Sequence, residues 1–383
     1  MKIGIDVQPL QYSARDSGIG FYIRNLLREI HSLPSRHTFY LFINNRAPRR
    51  SDLKLDPSLH WPTISLDRGM QPGERADIDL FHSNSIAEFD GVTIPRPAGP
   101  CKIVVTVHDI IPMIFKEQHP AYWSDSPDAY PYDRRIDDVR AADAVLTVSN
   151  HSKFDIVEHC SIPADQVFVT HCAVNDEYRP VNAPHKIRQV RQRYNLPQKY
   201  ILYVGGYYSH RKNIHGVLSA YRRFLELSRL MQHKLVLAGV DDAHAAIREE
   251  IHEMLNCRGL DGQVHPTGFI PDSDLPTVFS EAEVFFYPSL YEGFGLTPLQ
   301  AMACGTPVVT SNRSSIPEVV GTGAELVDPE DIDALAEALI RVATNAGLRR
   351  KLVKSGYRRA GLFSWRRTAR RTLEVYERVL SGS

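Results

Sequence analysis

The chain has 383 residues, 43% hydrophobic and 23% charged, with 45 basic against 45 acidic side chains and a formal net charge of zero. That length suggests two domains, each with its own core, and the composition is ordinary for a soluble globular protein. The five cysteines at 101, 160, 172, 257 and 304 form no C-x-x-C pair. Structural disulfides and a thiolate zinc site are therefore not expected, and a reducing cytosol fits. Met1-Lys2 leads straight into an apolar strand, and no apolar run approaches the roughly 18 residues of a spanning helix. The expectation is a cytoplasmic protein, at most peripheral to a membrane.

Apolar runs in the first half predict strands at 3–7, 39–43, 78–82, 103–107, 144–148 and 166–170, and helical patterns fit 19–31, 134–141 and 150–159. Ser149 or Asn150 is placed to cap the last of these helices. Between 171 and 199 the pattern breaks up around Pro180, Pro184 and Pro197, which suggests an interdomain hinge. Strands resume at 200–205, 234–238, 263–267, 283–287, 307–310 and 325–327. Helices are expected at 213–230, 242–256, 272–280, 296–304, 331–345, 347–355 and 365–380. Such alternation argues for an α/β protein: two Rossmann-like domains, each a parallel sheet covered by helices, facing a cleft with ligands beyond the carboxyl ends of the strands. The expected division is 1–175, 176–363 and a last helix over 364–383.

The most informative stretch is 289–309. The apolar run Val284-Phe285-Phe286-Tyr287 ends at Pro288, and the turn Glu292-Gly293-Phe294-Gly295 opens a helix through Leu296 and Thr297 to Cys304. Glycines there let backbone approach a ligand, and free N–H groups at a helix start favour an anionic or hydroxyl-rich group. An ordinary βαβ unit with tight turns is the plainer alternative. Upstream, Tyr200 to Gly206 reads as a strand with a glycine exit, followed by Arg211-Lys212-Asn213 at a helix start. Two cations beside a helix N-terminus make a pyrophosphate site.

In the first half, Ser17-Gly18-Ile19-Gly20 sits at a strand-to-helix turn, and a tight turn alone would also explain it. The strand Ile103 to Val107 ends in His108-Asp109-Ile110-Ile111-Pro112, where Pro112 is expected to keep the chain out of a helix. His119 to Tyr132 is rich in aromatics and Asp, which suits either a carbohydrate surface or a packed loop. The strings Asp77-Ile78-Asp79, Asp272-Ser273-Asp274 and Asp331-Ile332-Asp333 spell D-x-D, yet each lies at a helix start or before a strand, where Asp caps or is solvated. No metal site is expected.

Together these segments resemble the family 4 retaining glycosyltransferases of the two-lobed GT-B fold, and the order R-K-N with H-D-x-x-P resembles bacterial mannosyl- and rhamnosyltransferases of polysaccharide or O-antigen assembly. The resemblance implies a nucleoside-diphosphate sugar donor, GDP-mannose or a related 6-deoxy sugar first and a UDP-sugar second, with a glycan or lipid-linked glycan acceptor. It implies retention at the anomeric carbon, with no metal or other cofactor. It also implies that the last helix crosses back onto the first domain. His108 would contact the donor sugar near the breaking bond, and Lys212 and Arg211 the diphosphate. Glu292 would face the sugar hydroxyls, and Gly18 and Gly20 the diphosphate and acceptor side. Gly206, Phe269, Phe294, Gly295, Leu296, Thr297 and Gln300 would line the donor. The chain departs from the family twice. Some branches have an arginine directly after the first glycine, where this chain has Gly206, and the second motif glutamate is replaced by Gln300, which keeps an acceptor oxygen for ribose and adds two donors.

Two other functions share these residues: a nucleotide-sugar-binding scaffold that lost turnover with Gln300, and a nucleotide-sugar epimerase. Residues 349–378 carry eleven Arg and Lys against Glu374 and Glu377. Such a basic end either attracts an anionic inner-membrane surface or other assembly enzymes, or is a set of solvated helix faces. No recognised module accompanies it that would indicate nucleic acid.

Overall fold

Runs of branched and aromatic residues become strands buried on both faces, as parallel sheets require. The structure, a computed structural model, describes residues 1–44, 47, 52–66, 77–84, 101–118, 132–206, 210–239, 249 and 253–382. Met1–Cys172 with Ser364–Ser383 makes one compact unit, and Ala173–Phe363 makes the other.

The first unit holds strands β1 (Lys2–Asp6), β2 (Thr38–Asn44), β3 (Thr63–Leu66), β4 (Leu80–Ser83), β5 (Lys102–Thr106), β6 (Ala144–Thr147) and β7 (Val167–Val169). They form a parallel sheet in the order β3-β2-β1-β4-β5-β6-β7. Ile5 at its centre pairs with Leu41 on one side and His82 on the other. The order reverses between β1 and β4, which opens a crevice at their carboxyl ends. Helices α1 (Gly18–Ser32), α2 (Ile111–Gln118), α3 (Tyr132–Arg140) and α4 (Asn150–Cys160) connect the strands. The Ser149 hydroxyl caps α4 by accepting from the Ser152 N–H at 2.9 Å.

The second unit repeats the plan with β8 (Lys199–Val204), β9 (His233–Ala238), β10 (Val264–Gly268), β11 (Val284–Tyr287), β12 (Val308–Ser311) and β13 (Ala324–Val327). The parallel order is β10-β9-β8-β11-β12-β13, so the reversal here lies between β8 and β11. Its helices are α5 (Pro184–Arg193), α6 (Ile214–Ser228), α7 (Leu275–Glu281), α8 (Leu296–Ala303), α9 (Ile316–Val320), α10 (Ile332–Thr344) and α11 (Ala346–Ala360). Val284, Phe285 and Phe286 are fully buried in β11. Burying each of the two phenylalanines is worth roughly 1.5–3 kcal/mol.

The last helix, α12 (Trp365–Ser381), returns to the first unit, as the family resemblance implies. Trp365, Thr368, Ala369, Thr372, Val375, Tyr376 and Val379 are buried, the i, i+3, i+4, i+7 spacing of a helix with one apolar stripe. Trp365 meets Phe21 and Tyr22 of α1 edge-on, with ring centroids 5.8 and 5.7 Å apart. Deeper in, the Tyr376 hydroxyl lies 2.5 Å from His82 Nδ1, and His82 Nε2 lies 2.7 Å from the Thr106 hydroxyl. Burial above all, with a smaller effect from the neighbouring His108, pushes the His82 pKa down to about 3, so this imidazole is neutral.

The structure departs from the sequence expectations in several places. Pro112 does not exclude a helix: α2 begins at Ile111, and a proline in the first turn gives up an N–H that has no helical partner there. The stretch expected to be irregular between 171 and 199 contains α5, started by Pro184 for the same reason. Helix α11 runs to Ala360 rather than 355, and the short elements β3 and α9 were not anticipated. Most of the expected helix 242–256, and His119 to Pro131 of the aromatic stretch, lie outside the described residues.

The contact between α12 and α1 yields a test. Trp365→Ala removes a side chain that is 4% exposed and opens a void against Phe21 and Tyr22. Urea unfolding of the first unit should show a loss of about 3–5 kcal/mol.

Candidate active site

In the second unit the reversal point carries the charged residues singled out from sequence. Strand β8 leaves through Gly205-Gly206, and residues His210–Lys212 form a single 3-10 turn before α6. Asn213 joins the two in the left-handed conformation, φ 57°, which Asn tolerates better than most residues. Its Oδ1 accepts from the Gly216 N–H at 3.1 Å, and its Nδ2 donates to the carbonyls of Pro288 and Pro329 at 3.0 and 2.9 Å. Gly216 is required beside it, because a Cβ would stand 2.5 Å from the Asn213 side chain. The asparagine therefore caps α6 and pins the cationic turn to the exit of β11.

That exit delivers Glu292, 7% exposed, to the two cations. Lys212 Nζ is 2.8 Å from Oε1, and Arg211 Nη1 is 2.7 Å from Oε2. The Tyr287 and Ser289 hydroxyls each donate to Oε1 at 2.8 Å. Lys212 also contacts the Tyr287 hydroxyl and lies 4.8 Å from the centre of that ring. The Glu292 backbone is clamped as well: its N–H donates to the Ser314 hydroxyl at 3.0 Å, and its carbonyl accepts from Ser315 at 2.7 Å. Burial alone would raise the carboxyl pKa, but Arg211, Lys212 and the Lys212 and Ser289 hydrogen bonds bring it down to about 2. Glu292 is thus an ionised acceptor at any ordinary pH.

The rest of the glycine turn follows. Gly295, at φ 105°, starts α8, and a Cβ there would lie 2.8 Å from Ile316 Cδ1. Phe294 turns its ring into the core, edge-on to Phe363 at 5.5 Å. Leu296 and Thr297, in the first turn of α8, are half-buried. Gln300 is 7% exposed, and its amide bonds no described residue. Gly206 is exposed with open space around it, and Phe269, just past β10, is 70% exposed.

His108, Gly18 and Gly20 belong to the first unit. The ring of His108 meets Tyr22 edge-on at 4.9 Å, and its Nε2 donates to the Asn84 carbonyl at 3.2 Å, which leaves Nδ1 as the acceptor. Burial lowers its pKa to about 4 against the effect of the Asn84 bond, so the imidazole acts as a neutral group. Asp109 accepts from the Ile111 N–H at 3.2 Å and shapes the entry to α2. The two glycines differ: a Cβ on Gly20 would stand 2.2 Å from the Arg15 carbonyl, whereas Gly18 has nothing within 4 Å. Gly20 is a packing requirement, and Gly18 leaves space at the head of α1.

Several contributors were not singled out from sequence. Tyr287, Ser289, Ser314 and Ser315 surround Glu292, and of these Ser289 alone left a signal, the S-x-x-E spacing to Glu292. Asp6, at the carboxyl end of β1, also lacked any signal. Burial raises its pKa to about 6 against hydrogen bonds from Gln8 and Ser83. The D-x-D carboxylates are occupied by protein groups. Asp77 and Asp79 bind Lys2, Asp272 accepts from Tyr178, Asp274 from Arg193 and Tyr194, Asp331 caps α10, and Asp333 binds Arg223. Among the described residues, no three His, Cys, Asp or Glu side chains converge on one point.

Each unit matches a known family of proteins. Residues 17–178 match the family model described as Glycosyltransferase Family 4, and residues 186–359 match Glycosyl transferases group 1. The chain belongs to this family and is a glycosyltransferase of the GT-B fold. Over 400 residues it is 35% identical to the O-antigen chain mannosyltransferase B of Escherichia coli, covering 98% of this chain and 100% of that protein. It is 28% identical over 415 residues to the serotype-specific mannosyltransferase WbdA of Escherichia coli, covering all of this chain but 49% of WbdA, so it spans about half that protein's length. Among solved structures, sucrose-phosphate synthase from Thermosynechococcus elongatus shares the fold over the full length of both chains, with a TM-score of 0.75 at 23% identity. No helix among the described residues is long and apolar enough to cross a membrane.

The depressed pKa of Glu292 fixes a stability profile. The ordinary value of 4.5 and the folded value of about 2 make this carboxylate worth about 3 kcal/mol above pH 5, a contribution lost as pH falls towards 2. Glu292→Gln, which leaves Arg211 and Lys212 without their counter-charge, should cost a few kcal/mol at pH 7. The gap from the wild type should close as pH approaches 2. Urea titrations at several pH values measure it, and equal stability of the two proteins at pH 7 would detach the cations from the carboxylate.

Proposed function

We propose that the protein transfers a mannosyl or related 6-deoxyhexosyl group from a nucleoside-diphosphate sugar, GDP-mannose first, to a growing glycan, with retention at the anomeric carbon and without a metal. The observation that carries this reading is the joining of Arg211, Lys212 and Glu292 at the reversal point of the second sheet. The full-length likeness to an O-antigen chain mannosyltransferase supports mannose.

The roles follow from charge. As the glycosidic bond breaks, the leaving diphosphate gains negative charge, and Lys212 and Arg211 stabilise that state more than the ground state. Glu292 holds both cations in place beforehand and, being ionised, accepts from hydroxyls of the donor sugar. The N–H groups at the start of α8, reached past Gly295, serve the diphosphate, while Gln300 accepts from the ribose and Phe269 borders the base. His108 supplies a neutral nitrogen acceptor to the sugar. No carboxylate is assigned as nucleophile. The acceptor hydroxyl attacks on the face the diphosphate leaves, and the departing phosphate oxygen takes its proton, which preserves configuration.

Incubation with GDP-mannose, UDP-glucose and ADP-glucose, a mannose-terminated oligosaccharide and excess EDTA tests the reading. Transfer from GDP-mannose that persists in EDTA, with an α-configured product by NMR, is the expected result. A requirement for magnesium or manganese, an inverted product, or loss of donor without acceptor would reject it. Lys212→Ala should lower kcat by roughly 100-fold in a folded protein, since it strips one cation from the developing charge. Turnover unchanged from the wild type would move the diphosphate elsewhere.

A further inference from the structure

The second unit carries another basic feature, at the edge of its sheet away from Glu292. An open cavity of about 730 Å³ lies at the amino ends of β11 and β12, bordered by Glu283 and Pro307 and walled by one side of α11. Ligands of parallel sheets bind at the carboxyl ends of the strands, so the fold's own binding site does not account for it.

Helix α11 has six cations and no acid. Two of them have structural work: Arg349 donates to the Val342 and Ala343 carbonyls, and Arg359 to the Val319 and Glu318 carbonyls, which fixes the helix in position. Arg350, Lys354 and Arg358 line the cavity, are exposed, and pair with no carboxylate among the described residues. The cavity's acid, Glu283, faces His233 at 2.5 Å and Lys199 at 3.9 Å rather than the α11 row. The Tyr357 hydroxyl reaches over Gly305, where a Cβ would stand 2.1 Å from it, and bonds no described residue. Like charges at i, i+4 and i+8 repel along a helix, so the row costs stability unless anions neutralise it.

We propose that this face of α11 docks on the phosphate headgroups of an anionic lipid surface. The row Arg350, Lys354, Arg358 extends about 12 Å along the helix, longer than a single phosphate and suited to several side by side. The cavity is open rather than enclosed, which suits a surface, and the donor-side edge of the sheet is left clear. Each cation near such a surface adds to the attraction, and the sum is screened by salt.

Vesicle co-sedimentation of the full chain tests this. Vesicles containing phosphatidylglycerol are expected to bind the protein at low salt and release it at high salt, while pure phosphatidylcholine vesicles do not bind it. The triple variant Arg350→Gln, Lys354→Gln, Arg358→Gln should bind roughly 100-fold more weakly. A control that removes the same charge elsewhere, Lys351→Gln with Arg366→Gln and Arg370→Gln, should lose less than about tenfold. Both variants should keep wild-type sugar transfer, because none of these residues belongs to the donor site, and neither should melt below the wild type, since removing the like-charged row relieves repulsion. Equal losses in the two triples would reduce the effect to net charge and overturn the proposal. So would the absence of wild-type binding to anionic vesicles. Binding of inorganic pyrophosphate by Arg350, Lys354 and Arg358 without vesicle binding would assign the cavity to a soluble anion and also overturn it.

Discussion

An ionised carboxylate in a protein interior is unfavourable unless charge and hydrogen bonds meet it on every side. Glu292 is in that position, and much of the second unit's local geometry follows. Its counter-charges come from a turn about 80 residues earlier in the chain. That turn must be locked to the exit of β11, and Asn213 locks it with a left-handed backbone, a capping oxygen and two amide bonds. Gly216 exists to admit Asn213, and Ser314 and Ser315 fix the backbone that presents the carboxylate. The group of three is left with one more positive charge than negative. That surplus is what the proposed diphosphate role draws on, and each cation already has a partner.

The first unit uses the same strand order differently. Its reversal point is bordered by Asp6, with a pKa near 6, and by Asn84, while His108 stands at the end of the adjacent β5, neutral and donating to the Asn84 carbonyl. Asn84 donates to the Asp6 carbonyl and accepts from His108, and no cation pairs with the Asp6 carboxyl in these bonds. One fold thus appears twice, once around an ion-paired carboxylate and once around a hydrogen-bonded one.

Strand positions in both sheets were legible because buried parallel strands are nearly uninterrupted apolar runs, and Val284-Phe285-Phe286-Tyr287 is the clearest of them. The cations and Glu292 were legible because each sits directly after such a run, beside glycines. What the residues could not convey was their mutual distance: nothing in Arg211-Lys212 or in Glu292 says that they bind each other, since this depends on two strands lying side by side. The hydroxyls of Tyr287, Ser314 and Ser315 were silent for the same reason, being common residues made specific by placement. Proline misled the reading twice. At Pro112 and Pro184 it begins a helix, and a residue pattern alone does not distinguish the first turn of a helix from its interruption.

The return of α12 to the first unit also bears on the order in which the protein assembles. Tyr376 completes the hydrogen bonds of His82, and Trp365 covers α1, yet both are made after all of Ala173–Phe363. A ribosome therefore releases the first sheet with its helix seat vacant, and the second unit, continuous in sequence, can close before the first is complete. Contacts between residues nearly 300 positions apart come late because the chain must first lose the entropy of closing that loop. During synthesis the bare face of α1 needs protection from wrong partners.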